Sequence, residues 1–164
     1  MDLRRLRTGE WVAAASGMVL LLALFLPWYT VDPGQSTSAW ESFAILDIVL
    51  ALIAVWAVAL LLVTAAQPVP AVPVALAALV AIAGFVATVL VLIRVLDLPG
   101  GAAGREWALW LGLAGSLGVL VGGLLATRDE RLSPPGRHTD ITGRPAPPPP
   151  EIEAIPAPRR EGPA

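Results

Sequence analysis

The 164-residue sequence contains no cysteine, no lysine and a single histidine, and only 15% of its residues are charged. Without cysteine there is no disulfide, no thiolate nucleophile and no zinc–thiolate site. The lone His138 stands in a proline-rich segment, so neither a Ser–His pair nor a histidine metal cluster is available. The charge balance, eleven basic residues against thirteen acidic ones, leaves −2 and provides no basic excess for nucleic acid. No glycine-rich loop with a phosphate-binding lysine is present, because Gly100, Gly101 and Gly104 punctuate a connection between apolar runs. The loops between those runs are too short for a folded catalytic domain. Catalysis, cofactors and metals are therefore not expected.

What the chain does have is apolar length. Fifty-six per cent of it is hydrophobic and its mean hydropathy is +0.72, against about 25% charged residues in an ordinary soluble domain. A helix rises 1.5 Å per residue, so about 20 apolar residues cross the ~30 Å hydrocarbon layer. Four stretches approach that length: 11–28, 43–66, 74–96 and 107–127. Each ends at a physical stop, namely Pro27, the Gln67-Pro68-Val69-Pro70 turn, Pro99-Gly100-Gly101, and the Arg128-Asp129-Glu130-Arg131 cluster. The expected fold is all-α: a polytopic membrane protein with a four-helix antiparallel transmembrane bundle over 11–127. A short N-terminal segment, 1–10, precedes it. Leu26-Pro27-Trp28-Tyr29 offers no small-residue cleavage site, so the first helix is read as retained.

Arg4, Arg5 and Arg7 precede the first run, Arg128 and Arg131 follow the fourth, and the first loop has no basic residue. The positive-inside rule then places both termini in the cytoplasm. Residues 128–164 hold ten of the sixteen prolines and six arginines balanced by six acids. Such a tail is expected to be disordered and cytoplasmic. Its Arg144-Pro145-Ala146-Pro147-Pro148-Pro149-Pro150 stretch matches a polyproline ligand pattern that arises easily in such composition.

Intramembrane charges are costly and usually find partners. Asp47 and Arg94 lie at similar expected depth on adjacent helices, each on a face with small residues, Ala51 and Ala54 beside Asp47, Ala83 and Ala87 beside Arg94. They are expected to form a buried ion pair that clamps the helices, since too few other polar residues mark a continuous path across the membrane. Counting 100° per residue places Ile53, Trp56 and Leu60 on the opposite, lipid-facing side of the second helix. Gly115, Gly118 and Gly122 form a stripe on the fourth helix that admits a close backbone, expected from the same chain. Trp28, Tyr29, Trp40, Trp107 and Trp110 are expected to form an aromatic belt at the outer interface. Ser38 and Glu41 have the spacing of a capping box at the start of the second helix.

The runs Phe25-Leu26-Pro27-Trp28-Tyr29, Ala39-Trp40-Glu41-Ser42-Phe43 through Asp47, Arg94-Val95-Leu96-Asp97-Leu98-Pro99-Gly100 and Trp110-Leu111-Gly112-Leu113 resemble those of small, uncharacterised four-helix integral membrane proteins of actinobacteria. The likeness covers residues from about 10 to 131. It implies four helices and a plasma-membrane location and carries no substrate or catalytic residue. An alanine-, proline- and arginine-rich chain without lysine is in keeping with a GC-rich bacterial genome. The expected role is a non-catalytic interaction or assembly component, with a small transporter or channel subunit as the alternative. The expected partners are the lipid bilayer and a second copy or another membrane protein.

Overall fold

The computed structural model describes residues 6, 8–32, 34–43, 45–66 and 71–129. The chain is mostly helical: α1 (Thr8–Ala23), α2 (Ala39–Ser42), α3 (Leu46–Ala66), α4 (Ala71–Leu96) and α5 (Trp107–Asp129). Three of these contain segments long and apolar enough to cross a membrane, Leu46–Ala66, Val74–Leu96 and Trp107–Arg128. The first helix is shorter than expected. Its 16 residues end at Ala23, a rise of only ~24 Å at 1.5 Å per residue.

The early stop has a local cause. Leu26 N–H donates back to the Ala23 carbonyl at 3.1 Å, and the indole Nε1 of Trp28 donates to the same oxygen at 2.7 Å. Pro27 cannot donate an N–H to continue the helix. The chain instead enters strand β1 (Pro27–Asp32), which pairs antiparallel with β2 (Gln35–Ser38) and, on its other side, with β3 (Gly104–Arg105). The sheet order is β2-β1-β3, and it is a departure from the all-α expectation. Register runs Tyr29 to Thr37 on one side and Tyr29 to Arg105 on the other. Gly101 sits at φ +91°, and Ala102 N–H donates to the Pro99 carbonyl at 3.0 Å, closing a tight turn that requires glycine's positive φ.

The second apolar run is also divided. Ser38 N–H and Oγ reach Glu41 Oε2 at 2.8 and 3.2 Å, so the expected capping box forms. It caps only the single turn of α2, because Phe43 is extended (φ −132°, ψ 149°) and α3 begins at Leu46 rather than at 43.

Helix packing follows the small residues. A β-carbon added to Gly115 would collide with Leu20, one at Gly118 with Ser16, one at Gly122 with Ala13, and one at Gly9 with Ala126. Numbers fall on α1 as they rise on α5, so these two helices run antiparallel in near-backbone contact. Gly84 against Leu120 and Gly123 against Ala81 give α4 and α5 the same relationship. The glycine stripe of α5 is therefore filled within the chain, as expected. Gly17 meets Ala54 and Ala57, bringing α1 onto α3. Leu20, Leu24, Leu50, Leu60, Leu109, Val91 and Val119 fill the interior. On α3 the inward arc includes Asp47, Leu50, Ile53, Ala54, Ala57 and Leu60, which corrects the outward assignment of Ile53 and Leu60. The inward arc is wider than the small-residue stripe: Ile53 and Leu60 join the buried core beside Ala54 and Ala57, which meet Gly17 of α1. Trp56 is exposed, as the periodicity indicates.

Candidate functional site

A group of polar side chains, Tyr29, Thr30, Arg105 and Glu106, converges where the small sheet meets the end of α4. A helix leaves its last four carbonyls without intrahelical donors. At the end of α4 three of them are answered from outside the helix: the Tyr29 hydroxyl donates to the Arg94 carbonyl at 3.1 Å, Arg105 Nε donates to the Val95 carbonyl, and Arg105 Nη2 donates to the Leu96 carbonyl at 3.2 Å. The guanidinium charge also complements the negative end of the helix dipole. Beside it, Thr30 Oγ1 donates to Glu106 Oε1 at 2.7 Å, and Glu106 N–H donates to the Trp28 carbonyl at 2.8 Å.

Trp28 and Tyr29 are fully buried, which removes them from the expected exposed belt. Trp28 lies against Gly112, where an added β-carbon would sit 2.8 Å from its Cζ2. Both rings stand T-shaped to Phe43, at centroid separations of 6.2 and 6.0 Å. Burial pushes the Tyr29 phenol above its ordinary pKa; the Arg94 and Arg105 charges act against that shift and Asp97 adds to it. Trp107 and Trp110 are exposed, as is Trp40, which packs on Phe25 at 5.5 Å. The belt residues thus divide into two core side chains and three at the surface.

Asp47 and Arg94 come to neighbouring places without pairing. Asp47 is 3% exposed and its Oδ1 has no hydrogen-bond partner among the described residues. The Arg94 guanidinium carbon instead lies 4.6 Å from the centroid of the Phe43 ring, a cation–π contact. The expected ion pair is therefore corrected. The reason is the break before α3: the extended Phe43 turns its ring inward to Trp28 and Tyr29, and its face receives the arginine. Among the expected packing alanines, Ala54 and Ala87 are fully buried, while Ala51 and Ala83 are half-buried against the core.

Two clefts flank this region. One, of about 210 Å3, lies between β1, α2 and the Pro99–Ala102 turn, with Thr37 and Glu41 on its wall. The other, of about 520 Å3, opens between the beginning of α3 and the end of α4, with Phe43, Leu46, Val49, Leu90 and Arg94 along it. Arg105 and Tyr29 as helix caps, and Phe43 as the platform for Arg94, escaped the sequence reading. A basic residue soon after a helix end is a recognised capping signal, but Arg105 is nine residues past Leu96 and reaches back only because the Gly101 turn reverses the chain.

Comparison of the chain with protein-family models, with curated proteins and with solved structures finds no match to any of them.

Proposed function

We propose that this chain is a multi-pass protein of a bacterial plasma membrane, with four transmembrane helices in an antiparallel bundle and both termini in the cytoplasm, and that it is a non-catalytic interaction or assembly component. Large apolar side chains are exposed along every long helix, among them Met18, Leu22, Leu52, Val55, Phe85, Leu92, Val121 and Leu124. In water that surface would be unfavourable at about 25 cal/mol per Å2; in hydrocarbon it is the ordinary exterior. The chain beyond Ala23 continues through the apolar turn Leu24–Leu26, which lets the shorter α1 serve as the fourth span. The resemblance to small actinobacterial membrane proteins supports the location, and the arginines at 4, 5, 7, 128 and 131 support the orientation. The tail expected from 128 onward lies, beyond Asp129, outside the described residues.

The observation that carries the functional reading is how the polar groups at the capped end are used. Tyr29, Thr30, Arg105 and Glu106 all hydrogen-bond to the fold itself, while Trp40, Trp107 and Trp110 remain on the surface. A cap held by its own hydrogen bonds, with exposed aromatics, suits contact with another membrane component. The test is cross-linking in native membranes followed by purification in mild detergent. A stoichiometric protein partner, reduced when Trp107 and Trp110 are replaced by alanine, is the expected outcome.

A small transporter or channel subunit is the second reading, favoured by the buried Oδ1 of Asp47 and Oγ1 of Thr64 on the inward arc of α3, which have no hydrogen-bond partner among the described residues. A proton or solute flux in proteoliposomes that disappears in Asp47→Asn would put this reading first and displace the assembly role.

A further inference from the structure

We propose that the groove between the start of α3 and the end of α4 binds one phospholipid with an anionic headgroup, its phosphate on the Arg94 guanidinium and an acyl chain against Ile45, Val49 and Leu90. The inference rests on the membrane reading above. Its starting point is Arg94, whose charge is matched by no carboxylate among the described residues. Phe43 covers one face of the guanidinium at 4.6 Å, but a ring face accepts none of the five in-plane N–H groups of an arginine. Asp47 forms no ion pair with it and is buried away from the groove wall. Asp97, just past the end of α4, is exposed and makes no ion pair with it either.

The groove supplies the remainder of the match. At about 520 Å3 it is large enough for a substantial part of a ligand. Its polar elements, Arg94 and Ser42, lie toward the sheet, and its walls away from that end are Ile45, Leu46, Val49 and Leu90. That order, cation and hydroxyl first and hydrocarbon beyond, follows the gradient of a phospholipid from headgroup to chain. Ile45 is 73% exposed, so the groove is open on its side to whatever surrounds the helices. α3 and α4 also touch less extensively than α1 with α5 or α4 with α5, leaving space that an acyl chain can fill. A guanidinium binds a phosphate through parallel, charge-assisted hydrogen bonds, and long basic side chains near helix ends reach the interface where phosphates lie.

The experiment uses the full chain, delipidated in detergent, with native mass spectrometry read against added phosphatidylglycerol, phosphatidylcholine or inorganic phosphate. One phosphatidylglycerol per chain, held in preference to phosphatidylcholine, is expected. Arg94→Ala should weaken it about 10-fold and Arg94→Lys less, since lysine keeps the charge without the paired geometry. Val49→Trp, which fills the groove while leaving Arg94 in place, should weaken it as well. On the wild-type chain, phosphatidylglycerol carrying a photoreactive acyl group should attach within residues 45–49 or 90–94, a readout that needs no variant to fold. Equal affinity in wild type, Arg94→Ala and Val49→Trp would overturn the proposal. So would attachment confined to other helices, displacement of the lipid by inorganic phosphate, or a dimer that Val49→Trp dissociates without affecting lipid. An alkaline wash separates the two readings: release of the chain from membranes refutes the membrane assignment, whereas an integral chain without Arg94-dependent lipid refutes only the groove.

Discussion

The hydroxyl of Tyr29 donates a hydrogen bond to the main-chain carbonyl of Arg94, 3.1 Å away and 65 residues later in the chain. That bond ties β1 to the end of α4 and answers a carbonyl that the helix cannot satisfy. Tyr29→Phe keeps the buried ring and removes only the donor, so it should cost about 1 kcal/mol, plus a little for the unpaired carbonyl. Thermal unfolding in detergent measures it.

The same side chain confers a pH dependence. Burial raises the folded-state pKa of Tyr29 above its ordinary value, so on alkalinisation the unfolded chain releases its phenolic proton first. The stability contributed by the neutral phenol is intact below about pH 10 and is lost as pH rises from there through the folded-state value. Unfolding temperatures of wild type should fall over that range more steeply than those of Tyr29→Phe. Parallel curves would show that Tyr29 is not the group responsible.

Arg105 closes the neighbouring carbonyls of Val95 and Leu96. Arg105→Ala should lose about 1–2 kcal/mol from two hydrogen bonds and a favourable charge at the helix end. Arg105→Lys should recover the charge contribution but not both bonds, because an ammonium lacks the planar fork. Amide hydrogen exchange over residues 93–97 should quicken in the alanine variant before exchange elsewhere in α4.

Gly112 leaves the space in which the Trp28 ring lies. A β-carbon 2.8 Å from Cζ2 requires the ring to move, so Gly112→Ala should destabilise by about 1–3 kcal/mol, the usual cost of overpacking a close-packed site. Trp fluorescence should report a changed Trp28 environment in the folded variant. Gly122→Leu should be worse, because the obstacle there is the backbone of Ala13 rather than a side chain.

Asp47 and Arg94 make no ion pair, and the guanidinium rests on Phe43. The stability changes from Asp47→Ala and Arg94→Ala should therefore add to within about 0.5 kcal/mol, as for independent sites. Arg94→Ala and Phe43→Leu, in contrast, should be coupled. A coupling of several kcal/mol between Asp47 and Arg94 in the double-mutant cycle would restore the buried pair.

Much of this architecture is carried by local chemistry. Apolar runs of 20 or so residues with at most one charge favour helices that satisfy their own backbone, and Gln67-Pro68, Pro99-Gly100-Gly101 and the charged cluster after Thr127 interrupt them, so the ends of α3, α4 and α5 were readable to within a few residues. The spacing of Gly115, Gly118 and Gly122 announced a close helix contact for the same reason: absence of side chains on one stripe is a property of the stripe alone. The partner of that stripe, α1, depended on how the helices assemble. So did the sheet, since Thr30 pairs with Gly104 across a separation of more than seventy residues and Gln35-Ser36-Thr37-Ser38 shows no alternation of apolar and polar side chains to mark a strand. Trp28 has the composition of an interfacial tryptophan in any sequence pattern; it became a core residue because Gly112 and Phe43 were brought to its two sides. Asp47 and Arg94 agreed in depth, which periodicity can supply, but a pair also needs side-chain direction. That was set by the extended Phe43, whose ring stands between β1 and α4 and receives the charge expected for the carboxylate.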